Sequence, residues 1–135
     1  MRAVLDTNVV ISALLNPSGA PAQVVRAWRA GAFEYVASEL LLAEVERAFA
    51  YPKIRARIAP DDAERFVDLL RADCEIVADH PPVAVFASPD PRDDFLISLA
   101  YHSRSLIVTG DSDLLGLAPR LPAVTPAAFL DLIEV

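Results

Sequence analysis

The stretch Arg2-Ala-Val-Leu-Asp-Thr-Asn-Val9 decides how the rest of the chain is interpreted. A short apolar run ends in Asp6, two small polar residues follow, and a second apolar run begins at Val9. This pattern predicts a buried first strand over residues 2–5 and a helix over residues 9–15. In an open α/β sheet, functional groups lie at the carboxyl ends of the parallel strands. We therefore expect Asp6 to lie at a functional edge of a sheet.

Strands and helices alternate along the rest of the chain. Further strands are predicted over residues 33–37, 75–78, 105–109 and 123–124. Further helices are predicted from Pro21 to a stop at Gly31, from the N-cap Ser38 to Phe49, and over residues 61–72, 90–103 and 126–133. The alternation predicts an α/β fold in which a parallel sheet lies between helices on both faces. With 135 residues, we expect one domain spanning residues 1–135.

Composition limits the class of protein. Hydrophobic residues make up 54% of the chain, which is enough for a core, and no apolar run approaches the roughly 18 residues that span a bilayer. The N-terminus lacks the features of a secretory signal, and the single cysteine, Cys74, cannot form an internal disulfide. We therefore expect a cytoplasmic protein with no membrane attachment.

The charge balance is acidic, with 19 Asp and Glu against 12 Lys and Arg and a net charge of −7. Taken alone, this argues against a nucleic-acid binder, because such proteins usually carry a basic surface. Two considerations weaken that argument. Clustered acids can be metal ligands whose charge the ion offsets, and a small basic stripe can serve a local groove.

Asp93 continues the apolar face of the helix predicted over residues 90–103. Leu96, Ile97 and Ala100 follow it at three, four and seven residues, so Asp93 is expected to point inward. Asp94 lies about 100° away, towards the edge of that face. The ordinary alternative is a first-turn acid favoured by the helix dipole, but Asp94 would serve the dipole as well.

Glu44 and Asp111 are two further candidates. Glu44 lies on the flank of the apolar stripe of its helix, where an ordinary alternative is a boundary Glu paired with Arg47. Asp111 follows a predicted buried strand and Gly110, as Asp6 follows the first strand. Its ordinary alternative is a turn residue or the cap of a short helix, although Asp113 is the better cap candidate.

Two strand-end acids and two inward helix acids can converge on one rim of the sheet. Unpaired buried carboxylates are costly, so convergent ones imply bound cations or raised pKa values. Oxygen ligands without cysteine or convergent histidine favour Mg²⁺ or Mn²⁺ over Zn²⁺. Such sites typically act on phosphate, because the ion activates a water and stabilises the displaced oxygen.

Four blocks of the sequence resemble a known family. They are Leu5-Asp-Thr-Asn-Val9, Glu44, Asp90-Pro-Arg-Asp-Asp-Phe-Leu-Ile-Ser-Leu-Ala100 and Ile107-Val-Thr-Gly-Asp-Ser-Asp-Leu-Leu115. In order and spacing they resemble the PIN-domain nucleases, most closely the toxins of VapBC-type toxin–antitoxin pairs. The blocks extend over nearly the whole chain, and the last two together are fairly specific.

The resemblance implies a three-layer α/β/α fold with a central parallel sheet of four or five strands. It also implies metal-dependent cleavage of RNA by the toxin of a type II pair, a homodimer, and inhibition by a cognate antitoxin. The family's catalytic and metal-binding acids fall on Asp6, Glu44, Asp93 and Asp111, with Mg²⁺ or Mn²⁺ as the ion. Supporting positions fall on Thr7, Asn8, Thr109 and Asp113.

The basic and histidine residues are less informative. Lys53, Arg55 and Arg57 form an alternating basic stretch that could contact RNA phosphates, or could be a solvated surface segment. His80 and His102 show no convergent partner in the sequence, and we predict that neither is catalytic.

Three other interpretations compete. A haloacid-dehalogenase-type phosphatase also begins with a strand-end Asp, but it needs a second Asp where Asn8 stands. A receiver-type phospho-acceptor domain needs a lysine near its last strand, and the chain's single lysine is Lys53. A non-catalytic PIN-like protein that binds RNA or a partner is the third.

Overall fold

The computed structural model describes residues 1–81, 94–118 and 121–133. Within these ranges a five-stranded sheet has the order β3-β2-β1-β4-β5, and every neighbouring pair is parallel. The strands are β1 (Arg2–Leu5), β2 (Glu34–Ala37), β3 (Glu75–Ile76), β4 (Leu106–Val108) and β5 (Ala123–Val124). The predicted parallel sheet is confirmed, and its first strand lies at the centre.

Helices connect the strands. They are α1 (Thr7–Leu15), α2 (Ala20–Arg29), α3 (Glu39–Phe49), α4 (Pro52–Arg55), α5 (Pro60–Asp73), α6 (Asp94–Ser103), α7 (Ser112–Leu115) and α8 (Pro126–Leu132). Helix α1 packs against α2 and α3, α2 packs against α8, and α3 packs against α5, whereas α6 packs on β1 and β4. The predicted three-layer α/β/α arrangement is confirmed. None of the helices in the described ranges is long and apolar enough to cross a membrane.

The core follows from the apolar runs of the sequence. The last three residues of β1 are fully buried, and aromatic side chains fill the space beside the sheet. Phe33 and Phe129 pack edge to face with ring centroids 4.8 Å apart, and Trp28 and Tyr35 do so at 5.0 Å. Such buried apolar contacts supply most of the free energy that holds a domain of this size together.

Local signals fix the helix ends as predicted in two places. The Ser38 hydroxyl oxygen accepts a hydrogen bond from the Leu41 N–H at 3.3 Å, which caps α3. Gly31 adopts a φ of +83° just after α2, a conformation that glycine accepts without steric cost. Ser38 therefore marks the start of α3, and Gly31 lies in the turn that follows the end of α2.

Some elements differ from the predictions, and one cannot be compared in full. Helix α1 begins at Thr7 rather than at residue 9, because the Asp6 carbonyl already accepts a hydrogen bond from the Val9 N–H at 2.9 Å. Helix α4 was not predicted, since its single turn carries basic residues and no apolar stripe. Of the helix predicted over residues 90–103, residues 94–103 are helical and its predicted start lies outside the described residues.

Candidate metal centre

Asp6 links the central strand to the first helix. Its N–H donates to the Val108 carbonyl of β4 at 2.9 Å, and its carbonyl accepts from the Val9 N–H in α1. The backbone on both sides is therefore held, and the side chain is only 8% exposed. The expectation that Asp6 lies at the carboxyl edge of a parallel sheet is confirmed.

Thr109 joins this edge to the neighbouring strand. Its hydroxyl donates to Oδ2 of Asp6 at 2.7 Å and accepts from the Asp111 N–H at 2.9 Å. Its own N–H donates to the Val124 carbonyl at 2.9 Å, and the residue is fully buried. One hydroxyl thus fixes the Asp6 carboxylate and the backbone of Asp111 at the same time.

Asp111 is the N-cap of α7. Its Oδ1 accepts from the Asp113 N–H at 2.8 Å, so the prediction that Asp113 is the better cap was wrong. The physical reason is that a cap accepts from an N–H inside the first turn, and Asp113 supplies that N–H. Asp111 is half-buried and Asp113 is exposed, so Asp111 is the acid of the pair that lies closer to the protein interior.

Burial raises the pKa of the Asp6 carboxyl above its ordinary value, and the negative charge of Asp111 raises it further. The hydrogen bond from Thr109 and the nearby backbone N–H groups of Asn8 and Thr7 lower it, although neither N–H forms a side-chain cap bond to Asp6. Burial is the largest of these effects, and the net pKa is raised. In the protein alone, therefore, the charged carboxylate is incompletely stabilised.

The raised pKa of Asp6 predicts a pH-dependent difference between the protein and its Asp6→Asn variant. The folded state holds this proton more tightly than the unfolded chain. The Asp6 contribution to the free energy of unfolding therefore rises as pH falls through the folded pKa, and is complete below the ordinary carboxyl pKa of the unfolded chain. Without metal, we expect Asp6→Asn to have the higher Tm at neutral pH and the two Tm values to converge as the pH falls. Thermal unfolding in chelator across this range measures it; a difference that stays constant with pH would contradict it.

Thr7 and Asn8 follow Asp6 in the first turn of α1. Thr7 is buried, and its hydroxyl has no hydrogen-bond partner within the part of the chain that the structure describes. Asn8 is exposed, and it is the backbone N–H of this residue that acts on Asp6. An unsatisfied buried hydroxyl is uncommon in folded proteins and calls for a partner such as an ion or water.

Glu44 lies half-buried on α3, the helix that packs against α1. The other two acids of α3, Glu39 and Glu46, are exposed, and both bind Arg71 of α5 at 3.0 Å. The predicted division of this helix into one inward acid and two outer acids is consistent with these positions. The role of Glu44 stays a prediction.

Asp93 lies outside the described residues, so its predicted role is also untested. Among residues 1–81, 94–118 and 121–133, no three His, Cys, Asp or Glu side chains form a group that could hold a metal ion. Asp6, Glu44 and Asp111 therefore do not complete such a group by themselves. A metal centre of the predicted kind depends on Asp93.

The donor set nevertheless fits a hard divalent cation. Asp6 and Asp111 offer carboxylate oxygens, which Mg²⁺ and Mn²⁺ prefer, and the Thr7 hydroxyl is buried without a partner among the described residues. A nearby cation would offset the burial that raises the pKa of Asp6. A bound divalent ion would therefore stabilise the charged form of Asp6 and give the Thr7 hydroxyl oxygen a partner.

The predicted RNA-binding residues lie around α4. Lys53 and Arg55 are in this helix, Arg57 follows it, and all three side chains are exposed. Exposed side chains are expected both if these residues contact RNA and if they form a solvated surface segment, so their exposure does not distinguish the two interpretations. Their contact with RNA stays a prediction.

The histidines have partners that the sequence did not reveal. The His80 and His102 rings lie 4.2 Å apart between centroids with an interplanar angle of 32°. The sequence had shown no such partner, and the prediction that neither histidine is catalytic stays a prediction. The two residues are far apart in sequence, so only a long-range contact could show the pairing.

The fold and the acids together define a class: an α/β domain with carboxylates at the carboxyl edge of a five-stranded parallel sheet. Within that class, the PIN domain family profile matches residues 2–113. The chain belongs to the PIN domain family. The haloacid-dehalogenase and receiver interpretations are set aside by this assignment.

Two individual proteins are similar to this chain. An uncharacterized protein of Methanocaldococcus jannaschii, MJ1680, is 31% identical over 118 residues, which cover 87% of this chain and 75% of that protein. The solved structure of PAE2754 from Pyrobaculum aerophilum is similar with a TM-score of 0.67 at 17% identity, covering 98% of this chain and 93% of that one.

Two solved VapBC structures share the fold. VapBC2 from Rickettsia felis, bound to a DNA fragment from its promoter, gives a TM-score of 0.65 at 15% identity, covering 93% of this chain and 98% of that one. VapBC-1 from nontypeable Haemophilus influenzae gives 0.63 at 15% identity, covering 94% and 99%. At these identities the likeness establishes a common fold.

Proposed function

We propose that this protein is a divalent-metal-dependent endoribonuclease and the toxin of a type II toxin–antitoxin pair. The observation that carries the proposal is the buried unit at the carboxyl edge of the sheet, in which one Thr109 hydroxyl holds Asp6 and Asp111 together. Membership of the PIN domain family adds the expectation of nuclease chemistry. A buried, partly destabilised carboxylate is typical of functional sites rather than of structural ones.

Asp6 and Asp93 would hold the principal Mg²⁺ or Mn²⁺ ion, with Asp111 and Glu44 binding directly, through water, or to a second ion. When bound, the ion would supply Lewis-acid stabilisation of phosphate charge and a more acidic water. Around it, Thr109 orients the Asp6 carboxylate and favours its ionised form by donating a hydrogen bond, which opposes the effect of burial on its pKa. A further carboxylate of the set would accept the proton that the attacking water loses as its oxygen bonds to phosphorus. The bond from phosphorus to the leaving ribose oxygen would break, and that oxygen would take a proton from solvent.

The partners follow from the same proposal. RNA would be the substrate, with Lys53, Arg55 and Arg57 contacting its phosphates, and the chain would form a homodimer in the cytoplasm. A cognate antitoxin is supported by the fold shared with VapBC2 and VapBC-1, which were solved as toxin–antitoxin pairs. Asp113, exposed beside the cap of α7, would act as an accessory acid.

Incubation with a mixed RNA pool tests the proposed activity. We expect cleavage with Mg²⁺ or Mn²⁺, none in chelator, and recovery when the metal is restored, because the acids alone cannot stabilise the charge of the reacting phosphate. A denaturing gel of the pool gives the readout. Cleavage that continues in excess chelator would contradict a metal-dependent mechanism.

A non-catalytic PIN-like protein that binds RNA or a partner is the second candidate. Binding of RNA without cleavage under every metal condition would select it. A Mn²⁺ titration separates the two, because a ligand of the folded state raises Tm. The enzyme should show a Tm increase that the Asp6→Asn variant lacks, whereas dispersed acids should give little response in either protein.

A further inference from the structure

A second group of polar side chains lies at the other end of the central strand. Arg2 begins β1, whereas Asp6 follows its last residue, so the two mark opposite edges of the sheet. A cavity of about 330 Å³ at the Arg2 end is lined by Arg2, His80, His102, Ser103 and Arg104, among others. None of the proposed metal or RNA-binding residues lines it.

Two imidazole rings stand side by side in the wall of this cavity. His80 and His102 stack at 4.2 Å, and the Tyr101 ring meets His102 edge-on at 5.2 Å. The Ser98 hydroxyl donates a hydrogen bond towards two backbone carbonyl oxygens. It lies 3.1 Å from that of His80 and 2.9 Å from that of Pro81. This hydrogen bonding holds the segment that carries His80 against α6, the helix that carries His102, so the two imidazole rings are kept next to each other.

Arg104 occupies a strained position beside the imidazole pair. Its φ is +55°, the one positive φ of a non-glycine residue within the described ranges. It follows the last residue of α6, and the Ser105 N–H donates to the Ala100 carbonyl at 2.9 Å across it, a helix ending that favours glycine. An arginine kept where glycine fits better points to a use for its side chain.

The two arginines that line the cavity differ in their hydrogen-bond and ion-pair partners. Arg2 donates from Nε to the Ser103 carbonyl at 3.0 Å, and its Nη1 lies 2.8 Å from Glu75 and 3.5 Å from Glu34. The Arg104 guanidinium, in contrast, has no hydrogen-bond or ion-pair partner among the residues that the structure describes. The cavity thus combines imidazole nitrogens with a guanidinium that has no partner among the described residues, and this combination suits an anion.

We propose that this cavity binds a phosphate group, with the Arg104 guanidinium as the principal cation and the His80 and His102 imidazoles as further donors. Guanidinium and imidazole nitrogens are the usual donors to phosphate oxygens in proteins. The exposed imidazole pair also offers a surface on which a base can stack, so the phosphate can belong to a nucleotide as well as to free phosphate. The site is independent of the proposed nuclease centre.

An NMR titration of the whole chain with inorganic phosphate tests the proposal. The chain has only two histidines, and both line the cavity, so imidazole signals report on this site alone. In chelator and at constant pH and ionic strength, we expect both signals to shift and saturate. Arg104→Gly and Arg104→Gln should weaken the affinity by roughly tenfold or more, since each removes a charged hydrogen-bond donor.

Matched variants separate binding from folding. Arg65→Gln removes one charge from an exposed arginine on α5 and should leave the phosphate affinity unchanged. Arg104→Gly should bind poorly and yet have a higher Tm, because glycine accepts the positive φ without strain. Imidazole signals that do not saturate, or equal weakening by Arg65→Gln and Arg104→Gln, would overturn the proposal.

A second set of titrations, with adenosine monophosphate and with adenosine, determines whether the bound phosphate belongs to a nucleotide. Adenosine monophosphate binding more tightly than inorganic phosphate would assign the site to nucleotides, and equal affinities would assign it to the phosphate group alone. Adenosine binding as tightly as its monophosphate would overturn phosphate as the recognised group.

Discussion

Substitution of Asp6 by asparagine is expected to reduce metal-dependent RNA cleavage by at least about a thousandfold. The change removes one charge from the proposed ion site, where loss of several kcal/mol of transition-state stabilisation corresponds to that factor. The shape of the side chain is kept, so the Thr109 hydroxyl can still donate to an oxygen at the Oδ2 position. Initial rates on one RNA pool, with Mn²⁺ in excess, give the comparison.

The matched control is Asp131→Asn, an identical change of charge at an exposed residue of α8. It should cleave as the unmodified protein does, which separates the role of Asp6 from a general effect of net charge. Circular dichroism and Tm should show both variants folded. Undiminished cleavage by folded Asp6→Asn would refute the role assigned to Asp6.

Thr109→Val is expected to weaken both the fold and the activity. Valine keeps the volume but leaves the buried Asp6 carboxylate without its donor and the Asp111 N–H without its acceptor. A loss of about 1–3 kcal/mol in the free energy of unfolding is expected for such unsatisfied buried groups. The pKa of Asp6 should rise further, because the hydrogen bond that lowers it is gone.

The pH profile of cleavage distinguishes positioning from simple destabilisation. If Thr109 keeps Asp6 ionised, Thr109→Val should move the acid limb of the rate profile to higher pH. Thr109→Ser retains the hydroxyl and should restore the profile, although it loses a buried methyl group. A valine variant that loses stability while keeping the original profile would reduce Thr109 to a structural role.

The sequence predicts the parts of this site that depend on local pattern. Asp6 and Asp111 were placed at strand ends because each follows a short apolar run, and the structure confirms both positions. The N-cap Ser38 was predicted from residue type alone and is confirmed. In each case, the neighbours in sequence determine the backbone.

Other features depend on contacts between distant residues, and Thr109 was named as a supporting position only through the family resemblance. No local pattern indicates that the Thr109 hydroxyl meets Asp6, or that His80 stacks on His102. The cap of α7 was assigned to Asp113 because both acids have the same capping preference, and only the backbone path selects Asp111. Local sequence preferences thus determine where helices and strands form. The packing of these helices and strands determines which distant side chains come into contact.

The Thr109–Asp6 hydrogen bond has a consequence for a chain still on the ribosome. Its two residues are 103 positions apart, and β1 has β4 as one of its two neighbours in the sheet. At usual rates of translation, roughly 5–20 s separate the synthesis of the first acid from that of the hydroxyl that orients it. A polypeptide released before residue 109 cannot form this contact, so the order of synthesis delays assembly of the acidic edge until most of the protein has been made.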